Sequence, residues 1–183
     1  MRWLVDGYNA IRRWPELAAA ERHGLEAGRD ALCALLSRAA RASGDEFTVV
    51  FDGAQAGGVG HGGPGVRVIF SSARESADRV IAQMAAAGGA VVSSDREVMR
   101  AAARAGAVVI TVDEFLARIE RLVRQAARPT DDADPDAEGG GGEGDGGDDG
   151  EDAPRGPKKG NPRKLSKKRR AAERALGRLR SSP

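Results

Sequence analysis

The stretch "LVDGYNAI", residues 4–11, begins as a buried strand and stops at a carboxylate. Asp6 ends the apolar run that starts at Trp3, and Asn9 follows three residues later. In an open α/β sheet, ligands bind just outside the carboxyl ends of the strands. A carboxylate at the tip of a buried strand is therefore the first candidate for a functional residue.

The first two thirds of the chain alternate short apolar runs with helical patterns. The predicted strands cover residues 3–5, 47–51, 66–70, 90–93 and 107–111. The predicted helices cover residues 25–43, 76–87, 95–105 and 113–127, the last with Asp113 as its N-cap. The strands are almost continuously apolar, which is typical of a sheet covered on both faces. We predict an α/β fold, a three-layer sandwich with a mainly parallel sheet.

A glycine-rich segment, "GAQAGGVGHGGPG" at residues 53–65, lies between the second and third predicted strands. Such a segment has too few side chains to pack a core, so we predict a mobile loop. His61 falls within it, and we interpret this histidine as solvated in preference to metal-bound.

Charge divides the chain into three parts. Residues 1–128 hold 17 Arg, no Lys and 15 acids, and residues 129–154 hold 11 acids with no Lys or Arg. Residues 155–183 hold 12 Lys or Arg against one acid, Glu173. We predict a globular domain over 1–128, a disordered acidic, Gly-rich linker over 129–154 and a basic, partly helical tail over 155–183. A polyanion is the favoured partner of the tail.

Several classes of protein are excluded or disfavoured. The single cysteine, Cys33, permits no intramolecular disulfide and suits a reducing cytoplasm. No apolar run is long enough to span a membrane, so we expect a cytoplasmic protein without a membrane partner. No lysine precedes Lys158, which excludes a P-loop, and no G-x-G-x-x-G follows the first strand. Tyr8 occupies the position where a haloacid-dehalogenase-like phosphatase requires aspartate.

Each predicted strand end carries acid. These acids are Asp6, Asp52, Glu75 with Asp78, Asp95 and Asp113. So much negative charge on one rim would repel itself unless cations bind. Oxygen ligands without a Cys or His cluster suit Mg²⁺ or Mn²⁺.

A structural explanation competes for most of these acids. Asp78, Asp95 and Asp113 all open predicted helices, where Asp is a preferred cap. For each of them, capping and a functional role are about equally well supported. Asp52 precedes Gly53 and could belong to a turn. The coincidence of five acidic strand ends is what favours a metal site.

The motifs "LVDGYNAI", "VVFDG", "ESADRVIAQM", "VVSSDREV" and "GAVVITVDEF" occur in this order. Together they resemble the YacP-like NYN domain family of the PIN-like nuclease superfamily, over roughly residues 1–125. The resemblance implies a Rossmann-like (PIN-like) parallel sheet, an acidic pocket that binds Mg²⁺ or Mn²⁺, and hydrolysis of RNA.

Carried over by motif, the resemblance implies catalytic roles for Asp6, Asp78 and Asp95, with Asp52 joining them as a metal ligand. The substrate-binding residues expected beside them are Asn9, Arg12, Arg13 and Ser94. Tyr8 could stack on RNA, although surface packing explains Tyr8 and the two arginines equally well. Ala82 departs from the family, which often carries glutamate there, so one carboxylate is missing.

Three hypotheses about function therefore stay open. A metal-dependent endoribonuclease is favoured by the acids that are present. An RNA- or ribosome-binding module with a weak or inactive pocket is favoured by Ala82. A small-molecule phosphatase is the third, and it would have no use for a basic tail. The ribosome could also present the substrate to an active enzyme, and the oligomeric state is not predicted.

Overall fold

The computed structural model describes residues 1–53, 58–72, 76–127 and 166–179. Six strands form one sheet: β1 (Arg2–Asp6), β2 (Glu46–Phe51), β3 (Gly58–His61), β4 (Val66–Phe70), β5 (Ala90–Val92) and β6 (Val108–Ile110). Their order is β3-β4-β2-β1-β5-β6, and every pair is parallel except β3 with β4. The predicted acidic linker and most of the basic tail lie outside the described residues.

The helices in the described residues are α1 (Gly7–Arg13), α2 (Pro15–Glu21), α3 (Leu25–Ser43), α4 (Ala77–Ala85), α5 (Arg96–Arg104), α6 (Val112–Ala126) and α7 (Lys167–Arg178). Side chains alternate across β1, so Trp3 and Val5 pack in one apolar cluster with α1, α3 and α6. Leu4 points to the other face and packs in a second cluster with α4 and α5. Helices on both faces of a mostly parallel sheet confirm the predicted three-layer, PIN-like α/β fold.

Asp45 fixes the amino end of β1 against β2. This aspartate is buried, and its Oδ2 accepts a hydrogen bond of 2.9 Å from the indole Nε1 of Trp3. The N-terminal ammonium of Met1 contacts the other carboxylate oxygen as an ion pair. The start of the central strand is thereby held in register beside Glu46.

Three features differ from the sequence-based expectation. Helices α1 and α2 were not predicted, and Gly7 explains how α1 begins directly at the strand: a Cβ there would lie 2.3 Å from the Phe51 ring. The predicted mobile loop over residues 53–65 contains β3, and its residues 54–57 lie outside the described structure. As an edge strand, β3 needs no apolar pattern, and Val59 is 63% exposed.

The predicted N-cap of the last helix of the globular domain is also wrong. Thr111, not Asp113, caps α6, because Thr111 and Glu114 form a reciprocal capping box. Asp113 lies one residue inside the helix, in its first turn.

Helix α7 packs against β6 and α6 and completes the larger apolar cluster. Ala172, Ala175 and Leu179 are buried there. Arg118 of α6 donates from Nε to the carbonyl oxygen of Leu179 at 2.9 Å and of Leu176 at 3.2 Å. The carbonyl of Leu176 also accepts the backbone N–H of Leu179, so Arg118 reinforces the C-cap of α7. Within the described ranges, no helix has both the length and the apolar character to cross a membrane.

Candidate functional site

A cleft of about 680 Å³ opens at the carboxyl ends of β1 and β2. The parallel sheet brings these strand ends beside the N-termini of α4 and α5, as expected for an open α/β sheet. Its polar lining comprises Asp6, Tyr8, Asn9, Arg12, Arg13, Arg29, Asp52, Asp78 and Asp95. All four predicted metal-binding carboxylates therefore face one cleft. Ser94 and Asp113 do not line it, and Glu75 lies outside the described residues.

Asp6 is half-buried at the tip of β1 and caps α1. Its Oδ1 accepts the backbone N–H of Asn9 at 3.2 Å, and its Oδ2 accepts the hydroxyl of Ser93 at 2.9 Å. Burial raises the pKa of Asp6 above its usual value, the two hydrogen bonds lower it, and the charges of Asp78 and Asp95 raise it further. Asp6 therefore caps α1, while burial and the neighbouring acids make its negative charge unfavourable.

Asp95 is the N-cap of α5, as the structural interpretation of this acid predicted. Its Oδ1 accepts from the backbone N–H groups of Glu97 at 2.6 Å and Val98 at 3.3 Å. The backbone N–H of Asp95 in turn donates to the hydroxyl oxygen of Ser93 at 3.0 Å. Ser93 therefore links two of the acids in the cleft.

Asn9 and Ser94 are joined directly. The side-chain Oδ1 of Asn9 accepts the backbone N–H of Ser94 at 2.9 Å, across the gap between α1 and the end of β5. The hydroxyl oxygen of Ser94 accepts the backbone N–H of Val112 at 3.4 Å. The structure thus gives both side chains a positioning contact. Their predicted contact with substrate stays a prediction.

Asp52 and Asp78 both lie at the entry to α4. Asp52 Oδ1 accepts from the hydroxyl of Ser71 at 2.9 Å and from the backbone N–H of Ala77 at 3.0 Å. Ser76, not Asp78, is the N-cap of α4. Asp78 is exposed, and no group within the described residues donates a hydrogen bond to its carboxylate. Capping therefore does not explain Asp78.

The carboxylates of the cleft repel one another. Partial desolvation in the cleft raises the pKa of Asp78, although its side chain is exposed, and the charges of Asp95, Asp52 and Glu97 raise it further. As the side chains stand, no three acidic, His or Cys residues of the described ranges are arranged to hold a metal ion. The donor set is nevertheless all oxygen and mutually repulsive, which suits a hard divalent cation such as Mg²⁺ or Mn²⁺.

Arg29 is the functional candidate that the sequence did not reveal. Its Nε donates to the Tyr8 hydroxyl at 3.0 Å, and its Nη2 contacts the same oxygen. Its guanidinium carbon lies 5.5 Å from the Tyr8 ring centroid, 5.6 Å from that of Phe51 and 5.2 Å from that of Phe70. The guanidinium carbon of Arg12 also lies over the Tyr8 ring, 5.4 Å from its centroid. No local pattern marks Arg29, because its partners come from distant parts of the chain.

Arg13 lines the cleft and pairs with an acid outside it. Its guanidinium pairs with Asp113 at 3.4 Å, and both side chains are largely exposed. A pair this exposed contributes little to stability, so Arg13 could exchange Asp113 for a phosphate at small cost.

The fold and the acidic cleft define a nuclease-like α/β domain, and the comparisons with known proteins agree. The model of the YacP-like NYN domain matches residues 3–139, so the chain belongs to that family. NYN and PIN-like domains are generally nucleases, a class of hydrolases, and they usually use divalent metals.

The proteins similar to this chain include two solved structures and one curated protein. The crystal structure of Rae1 (YacP) from Bacillus subtilis superposes with a TM-score of 0.59 at 29% identity, covering 69% of this chain and 77% of that one. A point mutant of Rae1 gives a TM-score of 0.59 at 30% identity, covering 68% and 77%. The "Uncharacterized protein YacP" of Bacillus subtilis (strain 168) is 35% identical over 89 residues, 46% of this chain. That match spans 51% of the relative's length, about half.

Proposed function

We propose that the chain is a Mg²⁺- or Mn²⁺-dependent endoribonuclease that hydrolyses RNA phosphodiester bonds in the acidic cleft. One observation carries the proposal: four carboxylates from four separate segments face one cleft, and two of them, Asp6 and Asp78, have pKa values raised partly by their neighbours' charge. Carboxylates that only cap helices or form turns have no need to lie together in one cleft, so their convergence favours a functional site.

Asp6, Asp78 and Asp95 are the proposed catalytic acids, and Asp52 is the fourth proposed metal ligand. Asp78 is the most available, since no protein group donates to it within the described residues. Asp6, Asp52 and Asp95 are oriented by the hydrogen bonds described above, and each keeps lone pairs free. A bound divalent ion would neutralise phosphate charge and activate water.

The cations at the margin of the cleft are the proposed contacts for the RNA backbone. Arg12 and Arg13 are exposed, and Arg29 is held against aromatic rings beside the acids. Asn9 and Ser94 are included as proposed substrate-binding residues because they adjoin Asp6 and Asp95. Guanidinium groups suit phosphate because they can donate two parallel hydrogen bonds.

Helix α7 extends the proposed RNA-binding surface onto the folded domain. Its exposed cations are Lys167, Lys168, Arg169, Arg170, Arg174 and Arg178. Arg169 lies 3.9 Å from Glu173, the one acid of the helix. Because the opposite face packs on the core, this charge is fixed to the nuclease domain. RNA is the proposed polyanion.

A second candidate, a catalytically weak RNA- or ribosome-binding module, rests on Ala82. This residue occupies the position of a frequent family glutamate. A binder of this kind would retain RNA affinity and lack turnover.

Titration of Mn²⁺ against labelled single-stranded RNA distinguishes the two candidates. The endoribonuclease shortens the RNA in proportion to bound metal, whereas a pure binder shifts its mobility only. Asp78→Asn should abolish cleavage, and Asp113→Asn is the matched control, because Asp113 is also exposed near a helix start but does not line the cleft. If the protein binds the RNA but leaves it intact with every metal tested, the chain is a binding module instead.

A further inference from the structure

A second cavity lies beside the acidic cleft and shares Arg29 with it. We call it the side cavity. Its volume is about 330 Å³, and ligand pockets usually range from about 300 to 1,000 Å³. It is formed by α3 together with β2, β3 and β4, and its lining includes Glu26, Asp30, Phe51 and Phe70. The cavity has room for a single flat ring system next to the proposed position of the scissile phosphate.

The floor of the side cavity is aromatic. The rings of Phe51 and Phe70 stack with centroids 5.9 Å apart and planes inclined by 26°. Phe51 is fully buried, whereas Phe70 is only partly covered. The Arg29 guanidinium lies 5.2 Å from the Phe70 centroid. Aromatic rings and arginine planes are the groups on which unpaired RNA bases stack.

The polar groups of the side cavity are arranged along one face of α3. Glu26, Arg29 and Asp30 are spaced i, i+3 and i+4, so they are neighbours on the helix surface. Both acids are exposed, and within the described residues neither forms a hydrogen bond or an ion pair. Arg29 uses Nε and Nη2 on Tyr8, which leaves Nη1 without a hydrogen-bond partner in the same part of the chain. The cavity therefore offers carboxylate acceptors and an arginine donor together.

We propose that the side cavity binds a guanine base of the RNA, adjacent to the phosphate in the acidic cleft. Guanine is the base whose Watson–Crick edge carries two neighbouring donors, N1–H and N2–H₂, which match one carboxylate. Its O6 and N7 accept from arginine. Adenine and cytosine present one donor beside an acceptor, and uracil one donor between two acceptors. This assignment rests on the proposed nuclease function and adds a specificity-determining site to it.

Gly60 of β3 keeps the side cavity open. A Cβ at this position would lie 3.8 Å from the Val68 Cβ and 4.0 Å from the Phe70 Cε2, which are ordinary contacts. Gly60→Leu should therefore fill the cavity without moving the backbone, and a strand interior gains from losing glycine. Gly58→Leu is the matched control, because it adds the same side chain to the same strand at a position that does not line the side cavity. Nothing lies within 4 Å of a Cβ at Gly58.

Binding of the four nucleoside 5′-monophosphates to the full chain without metal tests the site directly. We expect guanosine monophosphate to bind about tenfold more tightly than the other three, as a matched pair of hydrogen bonds allows. Gly60→Leu should abolish this preference, and Gly58→Leu should retain it. Equal affinity for all four nucleotides, or a guanine preference that survives Gly60→Leu, would overturn the assignment. The measurement involves no cleavage, so it stands apart from the test of nuclease activity.

Mapping of cleavage sites in a randomised RNA provides the second test. Wild-type protein should cut next to guanine, and Glu26→Gln/Asp30→Asn should still cut but lose that enrichment. Glu46→Gln, an exposed acid at the amino end of β2, should leave it unchanged. Cleavage without base preference would overturn the guanine site and leave the endoribonuclease proposal standing. Guanine-selective binding in a protein that cuts no RNA would support the guanine site and overturn the endoribonuclease proposal.

Discussion

The hydroxyl of Ser93 donates a hydrogen bond of 2.9 Å to the carboxylate of Asp6, although 87 positions separate the two residues in the chain. Ser93 is completely buried, and its oxygen also accepts the backbone N–H of Asp95. One small side chain therefore connects β1 with the start of α5. It also lowers the pKa of the aspartate that burial has raised.

We expect Ser93→Ala to raise the pKa of Asp6 further, because the lost donor favoured the ionised carboxylate. The free energy of unfolding should fall by about 1–3 kcal/mol, the cost of leaving buried polar groups unpaired. NMR titration of the metal-free protein and urea unfolding would measure the two effects. Ser43→Ala is the control, since Ser43 also donates one hydrogen bond and accepts one, far from the cleft. An unchanged pKa of Asp6 would contradict the proposed link.

Asp6→Asn should abolish cleavage while leaving stability unchanged or raised at neutral pH. The folded-state pKa of Asp6 is raised, so its ionisation costs more in the folded protein than in the unfolded chain. That cost is absent below the unfolded-state pKa, about 3.9, grows as pH rises from there to the folded-state pKa, and is constant above it. Urea unfolding of metal-free protein should show the gain of Asp6→Asn increasing from acidic to neutral pH.

Asp113→Asn controls for the loss of one acid, and it should bring no such gain, because Asp113 is exposed and paired with Arg13. A marked loss of stability in Asp6→Asn together with wild-type cleavage would show that Asp6 serves only as the cap of α1.

Mg²⁺ or Mn²⁺ should stabilise the protein by mass action. At a hundredfold excess over the dissociation constant, the gain in unfolding free energy should be about 2.7 kcal/mol. Thermal unfolding at increasing metal concentration would measure it. The double variant Asp6→Asn/Asp78→Asn should lose the shift, because both proposed ligands are removed. An equal shift in that variant would place the metal elsewhere, for instance on the acidic segment 129–154.

Neutralising the exposed face of α7 should weaken RNA binding for all sequences and flatten its salt dependence. In Lys167→Gln/Arg170→Gln/Arg174→Gln, three phosphate contacts are lost, so the slope of log K against log salt should become shallower by roughly 2. Fluorescence anisotropy with single-stranded RNA would measure this slope. The same change on α5, Arg96→Gln/Arg100→Gln/Arg104→Gln, controls for net charge on the other face of the sheet. Equal slopes for the two triple variants would exclude α7 as a specific surface.

Leu179→Ala separates the position of these charges from their number. The substitution retains every cation of α7 but removes a fully buried side chain, and we expect a loss of about 2–5 kcal/mol. If α7 acts as a fixed surface, RNA affinity should fall as well. Wild-type affinity in Leu179→Ala would indicate that the tail binds as a flexible arm.

The sheet and the carboxylates of the cleft could be predicted because strand ends carry their own signal. Buried parallel strands have continuous apolar sequences, and an acid at the end of such a strand is conspicuous. Asp6, Asp52, Asp78 and Asp95 were grouped in this way, and the structure brings them to one cleft. Their chemical roles remain predictions.

The remaining features depend on contacts between distant segments. Arg29 is placed by rings from α1, β2 and β4, which no helix periodicity reveals. The strand β3 is defined by pairing with β4, since its glycines give no apolar pattern. The cap of α6 is a different case, because Thr111 and Glu114 form the local Thr-x-x-Glu pattern of a capping box, which the sequence contains and the prediction of Asp113 overlooked. Tertiary context decided the other two cases.

The burial of Leu179 in the same cluster as Trp3 has a consequence for biosynthesis. Chains are made from the N-terminus, so residues 1–127 have all been synthesised long before residue 179 can leave the ribosome. Until then β6 is an uncovered sheet edge, and the apolar side of α6 beneath α7 is open to water. A product truncated within the acidic segment would keep this surface exposed. It would then be a target for chaperones and proteases, whereas the longer chain covers the surface itself.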